Sequence, residues 1–194
     1  HNLLEESKIG FHRINAIAAT AGPGLVGGIM VGLMTAKSIA KIHKKPFFAI
    51  HHVAGHALIP RLTHGVKYPY FLISASGGHG QVMIVHDHKS FEILGETIDD
   101  SPGEAFDKVA KMLDLPYPGG PWVEKYAQQG SPGEISFPRP LLHEKSQDRY
   151  FSFSFAGLKT AVRHYVQENT PLTLEDKYHI CASFQQAVSD VLVS

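Results

Sequence analysis

A long uncharged stretch near the amino end of the chain does most to limit what it can fold into. From Ile14 to Ala36 there is no aspartate, glutamate, lysine or arginine, so we expect the segment to be buried in protein or in lipid. Gly22-Pro23-Gly24 interrupts it near its middle, which disfavours a continuous membrane helix. The pattern therefore predicts a buried strand from Ala16 to Thr20, a glycine turn and a buried helix from Leu25 to Ile42.

Strands and helices alternate along the rest of the chain. Further strands are predicted at Pro46–Ile50, Tyr70–Ala75, Gln81–Val85 and Phe151–Phe155. Further helices are predicted from His52 to Leu62, from Ser101, from Trp122 to Gln128, from Gly157 and from Leu174. This alternation is typical of an α/β fold that includes one hairpin. A change of lobe near Tyr68-Pro69 would divide the chain into residues 1–68 and 69–194.

The run His51-His52-Val53-Ala54-Gly55-His56 is the sharpest local signal of chemistry. On a helix, His52 and His56 lie one turn apart on one face, so both imidazoles can reach one metal ion. A metalloprotease would carry its glutamate base directly after the first histidine, and Val53 stands there. Two histidines need a further ligand from elsewhere to complete a typical site. The alternative is a hydrogen-bonded pair of histidines with no metal.

A glycine-rich tip joins the two strands of the predicted hairpin. It reads Ser74-Ala75-Ser76-Gly77-Gly78-His79-Gly80. Glycines let backbone N–H groups approach an anion without interference from a Cβ atom, so the tip suits a phosphate. The alternative is a tight turn with no ligand.

Four carboxylates follow the hairpin: Asp99, Asp100, Glu104 and Asp107. Together with Gly119-Gly120 they could hold a ribose hydroxyl or a magnesium ion beside phosphates. The alternative is structural. Glu104 with Lys108 and Asp107 with Lys111 have the four-residue spacing of helical ion pairs, and the two aspartates would favour the start of the helix that Ser101 begins.

Charge and cysteine content narrow the classes of function. Lysine plus arginine and aspartate plus glutamate number 18 each, which argues against a strongly basic, self-sufficient nucleic-acid binder. Any RNA contact would come from a local patch or from a partner. The single cysteine, Cys181, forms no internal disulfide and is typical of a reducing compartment.

The order of these motifs resembles the TsaD family, formerly described as O-sialoglycoprotein endopeptidases. The resemblance covers nearly the whole chain and rests on six motifs in one order. They are Gly22-Pro23-Gly24-Leu25, His51–His56, Ser76-Gly77-Gly78-His79, Asp99-Asp100 with Gly103–Lys108, Tyr117-Pro118-Gly119-Gly120-Pro121, and Phe153-Ser154-Phe155 with Gly157-Leu158-Lys159-Thr160.

The resemblance implies a two-lobed fold of the actin and sugar-kinase type (ASKHA) with a nucleotide in its cleft. It implies transfer of threonylcarbamoyl from threonylcarbamoyl-AMP to N6 of the adenosine beside the anticodon, in tRNAs reading codons that begin with A. By match of position, His52 and His56 are metal ligands for one iron or zinc ion. Ser74, Ala75, Ser76, Gly77 and Gly78, with Asp107 and Gly120, are positions that bind threonylcarbamoyl-AMP or ATP.

Partners and location are also expectations drawn from the resemblance. They are tRNA and, in a bacterium, a paralogous TsaB-like subunit and a TsaE-like ATPase, with no membrane partner. The cytoplasm is the expected compartment and the mitochondrion the alternative.

Two segments of the family pattern have no counterpart in this chain. One is the amino-terminal phosphate segment. The other is a carboxy-terminal part that carries a substrate asparagine and the aspartate that completes the metal site. We therefore expect weak metal binding and no turnover by this chain alone. A non-catalytic dimerisation or scaffold paralogue of the same fold is the main alternative, and a sugar kinase is a further one.

Overall fold

The structure is a computed structural model that describes residues 2–144, 146 and 149–193. Contacts between Cα atoms divide the chain into two compact units, His1–Lys67 and Tyr68–Ser194. The assignment of residues 1–68 and 69–194 to two lobes of a larger fold stays a prediction.

The first unit is built around two parallel strands. Its elements are α1 (Asn2–Ser7), a short 3₁₀ helix (Phe11–Arg13), β1 (Ile17–Gly22), α2 (Val26–Ile42), β2 (Phe47–His51) and α3 (His52–His64). β1 pairs with β2 from Ile17 opposite Phe47 to Thr20 opposite Ile50. Parallel neighbours need a crossover, and α2 supplies it. The predicted succession of strand, turn and helix is confirmed. The predicted burial of the helix is wrong, because α2 packs mainly against β1 and, within the described part of the chain, Ala40 is its one buried residue.

The turn between β1 and α2 depends on glycine. Gly22 and Gly24 have φ angles of +144° and +147°, a region that residues with a Cβ rarely adopt. This break separates the uncharged stretch into two elements of different type. None of the helices in the described part of the chain combines the length and apolarity that a membrane crossing requires.

The second unit combines an antiparallel sheet with four helices. Strands β3 (Tyr70–Ala75), β4 (Gly80–Val85) and β5 (Phe91–Glu96) are adjacent in that order. The helices are α4 (Pro102–Met112), α5 (Gly119–Ala127), α6 (Ala156–Asn169) and α7 (Leu174–Val193). Ala75 pairs with Gly80, so residues 76–79 form the tip of the predicted hairpin. β5 was not predicted.

The strand predicted at Phe151–Phe155 is wrong. Only one bridge forms, between Thr97 and Phe153. The backbone N–H groups of Phe155 and Ala156 donate instead to Oδ1 of Asp99, at 2.8 and 3.2 Å. A side chain thus takes the hydrogen bonds that a neighbouring strand would need, and α6 begins there.

The hydrophobic core of the described residues lies in the second unit, where the four helices pack together. Its largest fully buried side chains include Phe155, Phe184, Leu113, Leu158 and Ile180. Cys181 belongs to this core as a free thiol, and burial raises its pKa to about 12. The core holds α4 and α5 in place, and these are the helices that carry Asp107 and Gly120.

Candidate functional site

The two histidines of the predicted metal site lie one turn apart at the start of α3. Nε2 of His52 and Nε2 of His56 are 3.3 Å apart. The two rings meet edge to face, with centroids 4.6 Å apart. His52 is half-buried and His56 is exposed. The helical spacing therefore brings both imidazole nitrogens to one point at the protein surface, as predicted.

The start of α3 fixes where this pair lies. His51 is the N-cap residue, and its Nδ1 accepts a hydrogen bond from the N–H of Ala54 at 3.4 Å. His52 borders a pocket of about 410 Å³ whose other walls come from β1 and α2. Those walls include Ala19, Gly28 and Gly32, and small side chains there leave space beside the His52 ring.

The distance between the nitrogens agrees with a shared metal ion. Two nitrogens that each lie about 2.0–2.1 Å from a tetrahedral zinc ion are about 3.3–3.4 Å apart. The same distance also fits a hydrogen bond between one protonated and one unprotonated nitrogen. Within the described residues, no group of three or more histidine, cysteine, aspartate or glutamate side chains is placed to hold a metal. The pair thus supplies two ligands of a larger set.

The hairpin tip between β3 and β4 is held by its own serine. The N–H of Ser76 donates to the carbonyl of His79 at 2.8 Å, and the N–H of His79 donates to Ser76 Oγ at 3.1 Å. In the part of the chain that the structure describes, the N–H groups of Gly77 and Gly78 have no hydrogen-bond partner. Two adjacent backbone donors are therefore available to an anion.

The beginning of α4 fixes the tip from the other side. Ser101 is the N-cap, as predicted, and its Oγ accepts from the N–H of Glu104 at 3.3 Å. The same Oγ donates to the carbonyl of Gly77 at 2.9 Å, and the N–H of Gly103 donates to the carbonyl of Ser76 at 3.1 Å. The backbone of the tip is thus anchored to a helix.

Three of the predicted substrate positions border one pocket. Gly77 from the tip, Asp107 from α4 and Gly120 from α5 all border a pocket of about 570 Å³. Asp107 accepts a hydrogen bond through Oδ1 from the N–H of Gly119 at 2.7 Å. Its Oδ2 has no partner among the described residues and remains an acceptor at the pocket.

The glycines of this region fall into two kinds. A Cβ added to Gly77, Gly78 or Gly120 would meet no atom within 4 Å, so these residues leave open space that a ligand can fill. A Cβ on Gly103 would lie 2.6 Å from the Cα of Gly77, and one on Gly119 would lie 2.6 Å from the Cβ of Ala110. Those two glycines permit close packing instead.

The remaining predicted positions lie in the same hairpin but not on the lining of this pocket. Ser74 and Ala75 are the last residues of β3, where they pair with Gln81 and Gly80. Ser76 and Gly78 belong to the tip. His52 and His56 lie in the first unit, so the two predicted groups of residues belong to different compact units.

The sequence allowed Asp99 and Asp100 to hold a ribose hydroxyl or a magnesium ion. Their carboxylates instead bind groups of the protein itself. Asp99 accepts from Ser154 Oγ at 2.6 Å as well as from the first N–H groups of α6. Asp100 pairs with Lys108 at 2.6 Å and with Lys159 at 2.5 Å. Burial alone would raise the pKa of Asp100, but hydrogen bonds from the two lysines outweigh it and hold the pKa below its ordinary value.

Of the two ion pairs predicted on α4, one forms and the other does not. Glu104 pairs with Lys108 at 2.9 Å, as predicted. The pairing of Asp107 with Lys111 is wrong, because Asp107 is directed to the N–H of Gly119. The role of Ser101 and Gly103 in anchoring the tip was not predicted. The run Ser101-Pro102-Gly103-Glu104 indicated that a helix begins there, but it did not indicate a contact with the hairpin tip.

Comparison with known proteins is consistent with the order of motifs. The sequence matches the family described as TsaD, tRNA N6-adenosine threonylcarbamoyltransferase, over residues 1–194. The tRNA N6-adenosine threonylcarbamoyltransferases of Brucella anthropi, Brucella abortus and Brucella ovis are each 53% identical to it over 189 residues. The alignment with each covers 97% of this chain and 52% of the relative.

The chain thus spans about half the length of the curated relatives it matches. The match extends through the histidine pair, the hairpin tip and both glycines of α5. The chain belongs to the TsaD family, whose fold is of the actin-like and sugar-kinase (ASKHA) type.

Proposed function

We propose that the whole protein to which this chain belongs is a tRNA N6-adenosine threonylcarbamoyltransferase. It transfers threonylcarbamoyl from threonylcarbamoyl-AMP to N6 of the adenosine adjacent to the anticodon, in tRNAs that read ANN codons. Family membership over residues 1–194 supports the reaction class. The observation that carries the proposal is the pocket where Gly77, Asp107 and Gly120 come together.

The pocket residues have roles that suit an acyl-adenylate. The unpaired N–H groups of Gly77 and Gly78 donate to the phosphate, as backbone amides do in anion-binding nests. The free Oδ2 of Asp107 accepts from a ribose hydroxyl, while its Oδ1 stays bound to Gly119. Gly120 leaves room for the ligand because it has no Cβ. These residues bind and orient the donor.

The transfer exchanges one bond for another. The N6 lone pair of adenosine attacks the carbamoyl carbonyl carbon and forms an N–C bond. The C–O bond to the phosphate breaks, AMP leaves with its electron pair, and the N6 proton passes to solvent. Because the negative charge of the leaving AMP develops at the phosphate, donors fixed there before the reaction lower the barrier.

His52 and His56 would hold one divalent metal ion, iron or zinc, as two ligands of its set. When bound, such an ion supplies Lewis-acid polarisation of an oxygen of the donor. The family pattern completes the site with an aspartate that lies in the carboxy-terminal part without a counterpart here. For that reason this chain alone is proposed to bind metal weakly and to be inactive.

The proposed partners follow from the family. They are the substrate tRNA and, in a bacterium, a TsaB-like paralogue and a TsaE-like ATPase. The proposed compartment is the cytoplasm, with the mitochondrion as the alternative.

The test uses the whole protein with its bacterial partners, unmodified tRNA and threonylcarbamoyl-AMP. After digestion of the tRNA, mass spectrometry measures threonylcarbamoyladenosine. Wild type is expected to form it, and His52→Ala to form at least about 100-fold less, since losing a ligand costs more than losing an outer-shell contact. Metal content of both proteins is measured in parallel.

His88→Ala is the matched control, because His88 is an exposed histidine outside both groups of site residues. It should behave as wild type. If His52→Ala keeps wild-type metal content and turnover, the metal role is wrong. If wild type is inactive while an active homologue modifies the same tRNA, the transferase proposal fails and a scaffold role takes its place.

A further inference from the structure

The zero net charge of the chain conceals a strong separation of charge between its two units. Residues 1–67 contain eight lysines and arginines but only two carboxylates, Glu5 and Glu6. Residues 68–194 contain ten lysines and arginines and sixteen carboxylates. With histidine counted as neutral, the first unit has a net charge of +6 and the second a net charge of −6.

Part of the positive charge collects where α2 ends. A shallow hollow of about 660 Å³ is lined by Phe11, His12, Ile42, His43, Lys44 and Lys45. Arg13 follows His12 in the 3₁₀ helix, and Lys41 lies in the last turn of α2. We call Arg13, Lys41, Lys44 and Lys45, with His12 and His43, the basic surface.

The charges of the basic surface are available to a ligand. Of its six residues, Lys45 is half-buried and the other five are exposed. Within the described residues, none of its lysines nor Arg13 forms an ion pair with a carboxylate, whereas Lys108, Lys159 and Arg139 of the second unit all do. The ring of Phe11 stacks on His43, with centroids 4.3 Å apart, and so restrains that side chain at the hollow.

Helix stabilisation does not account for the whole cluster. A cation in the last turn interacts favourably with the helix dipole, which explains Lys41. Lys44 and Lys45 lie beyond the end of α2, and Arg13 belongs to a different element. Lys44 and Lys45 are adjacent in the chain and both line the hollow, so their like charges repel each other and an anionic ligand would reduce that repulsion.

We propose that the basic surface binds the phosphate backbone of the substrate tRNA. The inference rests on the proposed function, because it locates the RNA contact of the same enzyme. The second unit has a net charge of −6 and the first a net charge of +6, so within this chain the net electrostatic attraction for RNA lies in the first unit. Backbone phosphates take compact lysine and arginine charges without sequence preference.

The test compares two double variants of the whole protein. Lys44→Gln with Lys45→Gln removes two charges from the basic surface. Lys89→Gln with Arg163→Gln removes two exposed charges from the second unit and is the control. Binding of unmodified tRNA is measured by filter retention between about 0.05 and 0.2 M salt, the range over which phosphate contacts weaken steeply.

The basic-surface variant should bind tRNA about 10- to 30-fold more weakly at about 0.15 M salt, because each phosphate contact changes the salt exponent by about 0.7–0.9. Its salt slope should fall by about 1.4–1.8 for the same reason. KM for tRNA should rise, while kcat and the affinity for threonylcarbamoyl-AMP stay unchanged. Lys44→Arg with Lys45→Arg keeps the charges and should restore binding.

The proposal is overturned if affinity and salt slope match those of the control. It is also overturned if tRNA binding is unchanged but an acidic protein partner is lost, since the surface would then be a protein interface. Inactivity of wild type on tRNA would count against the transferase instead, and the filter measurement would still decide about the surface.

Discussion

The glycines of the second unit have two different roles, which are close packing of the backbone and open space for a ligand. At Gly103 and Gly119, neighbouring backbone or side-chain atoms lie within 2.6 Å of where a Cβ would be, so glycine allows two elements to touch. At Gly77 and Gly120 the same position is open space beside the pocket. The first kind should affect stability and the second kind ligand binding.

Gly120→Ala should separate these two effects. The added methyl group projects into open space at the first turn of α5, and alanine in place of glycine in a helix stabilises by about 0.4–1 kcal/mol. We expect an unchanged or slightly higher Tm together with a rise in KM for the proposed donor, threonylcarbamoyl-AMP. Thermal unfolding and steady-state kinetics of the whole protein measure the two.

Gly103→Ala is the matched comparison. Its methyl group would overlap the backbone of Gly77, and such overpacking typically costs about 1–3 kcal/mol. Its Tm should therefore fall. A Gly120→Ala protein that loses stability while KM stays at the wild-type value would contradict the division of the glycines.

Among the elements, the link from β5 to α4 is held by two adjacent aspartates that reach α6. Asp99 accepts the first N–H groups of α6, and Asp100 joins Lys108 of α4 to Lys159 of α6. The side chain of Asp100 is 14% exposed, against 38% for Lys108 and 23% for Lys159. This arrangement sets the position of α4, which carries Asp107 and anchors the hairpin tip.

Asp100→Asn should destabilise the chain by about 1–3 kcal/mol at pH 7, less than a fully buried pair would lose because Lys108 is partly exposed. The pKa of Asp100 in the folded protein lies below its ordinary value of 3.8. The ionised carboxylate therefore stabilises the folded protein fully above about pH 3.8. This contribution is lost as the pH falls through the pKa that Asp100 has in the folded protein. Urea unfolding from pH 7 to pH 3 measures it.

The difference in the free energy of unfolding between wild type and Asp100→Asn should stay constant from about pH 7 down to about pH 5. It should then decrease as the pH falls below the ordinary pKa of aspartate. Glu168→Gln, at an exposed position of α6, is the control and should change stability by less than about 0.5 kcal/mol. A difference that is independent of pH down to pH 3 would show that the ion pair is not its source.

At the scale of the whole molecule, the two units differ in how much apolar surface they bury. The core cluster of the described residues belongs entirely to residues 68–194. Among the residues of the first unit whose side chains the structure describes, the buried hydrophobic ones are Ala40 and Ala57, while Leu25 and Leu62 are 88% and 83% exposed. Burial of apolar area is the main stabilising contribution in folding, so the units should differ in independent stability.

Residues 68–194 expressed alone should unfold cooperatively in urea and retain near-ultraviolet circular dichroism. Residues 1–67 alone should show neither a cooperative transition nor near-ultraviolet circular dichroism, because too little of their apolar surface is buried. Trp122, the only tryptophan, reports on the larger fragment. A sharp cooperative transition from residues 1–67 would contradict this expectation.

Local sequence patterns determined the features that depend on a few neighbouring residues. The four-residue spacing of His52 and His56 brought their nitrogens together because both lie on one helix. Ser101 caps α4 because serine followed by proline suits a helix start. The glycine break after β1 and the hairpin at residues 76–79 were predicted for similarly local reasons.

Only the tertiary structure decided which distant residues share a partner. Asp99 captures N–H groups that lie more than fifty positions later, so the alternating pattern at Phe151–Phe155 could not become a strand. Gly77, Asp107 and Gly120 border one pocket because the core packs α4 against α5 and hydrogen bonds tie the hairpin tip to the start of α4. The charged residues can be counted from the sequence alone. The boundary between the two units, which the structure provides, is needed to show that one unit has a net charge of +6 and the other a net charge of −6.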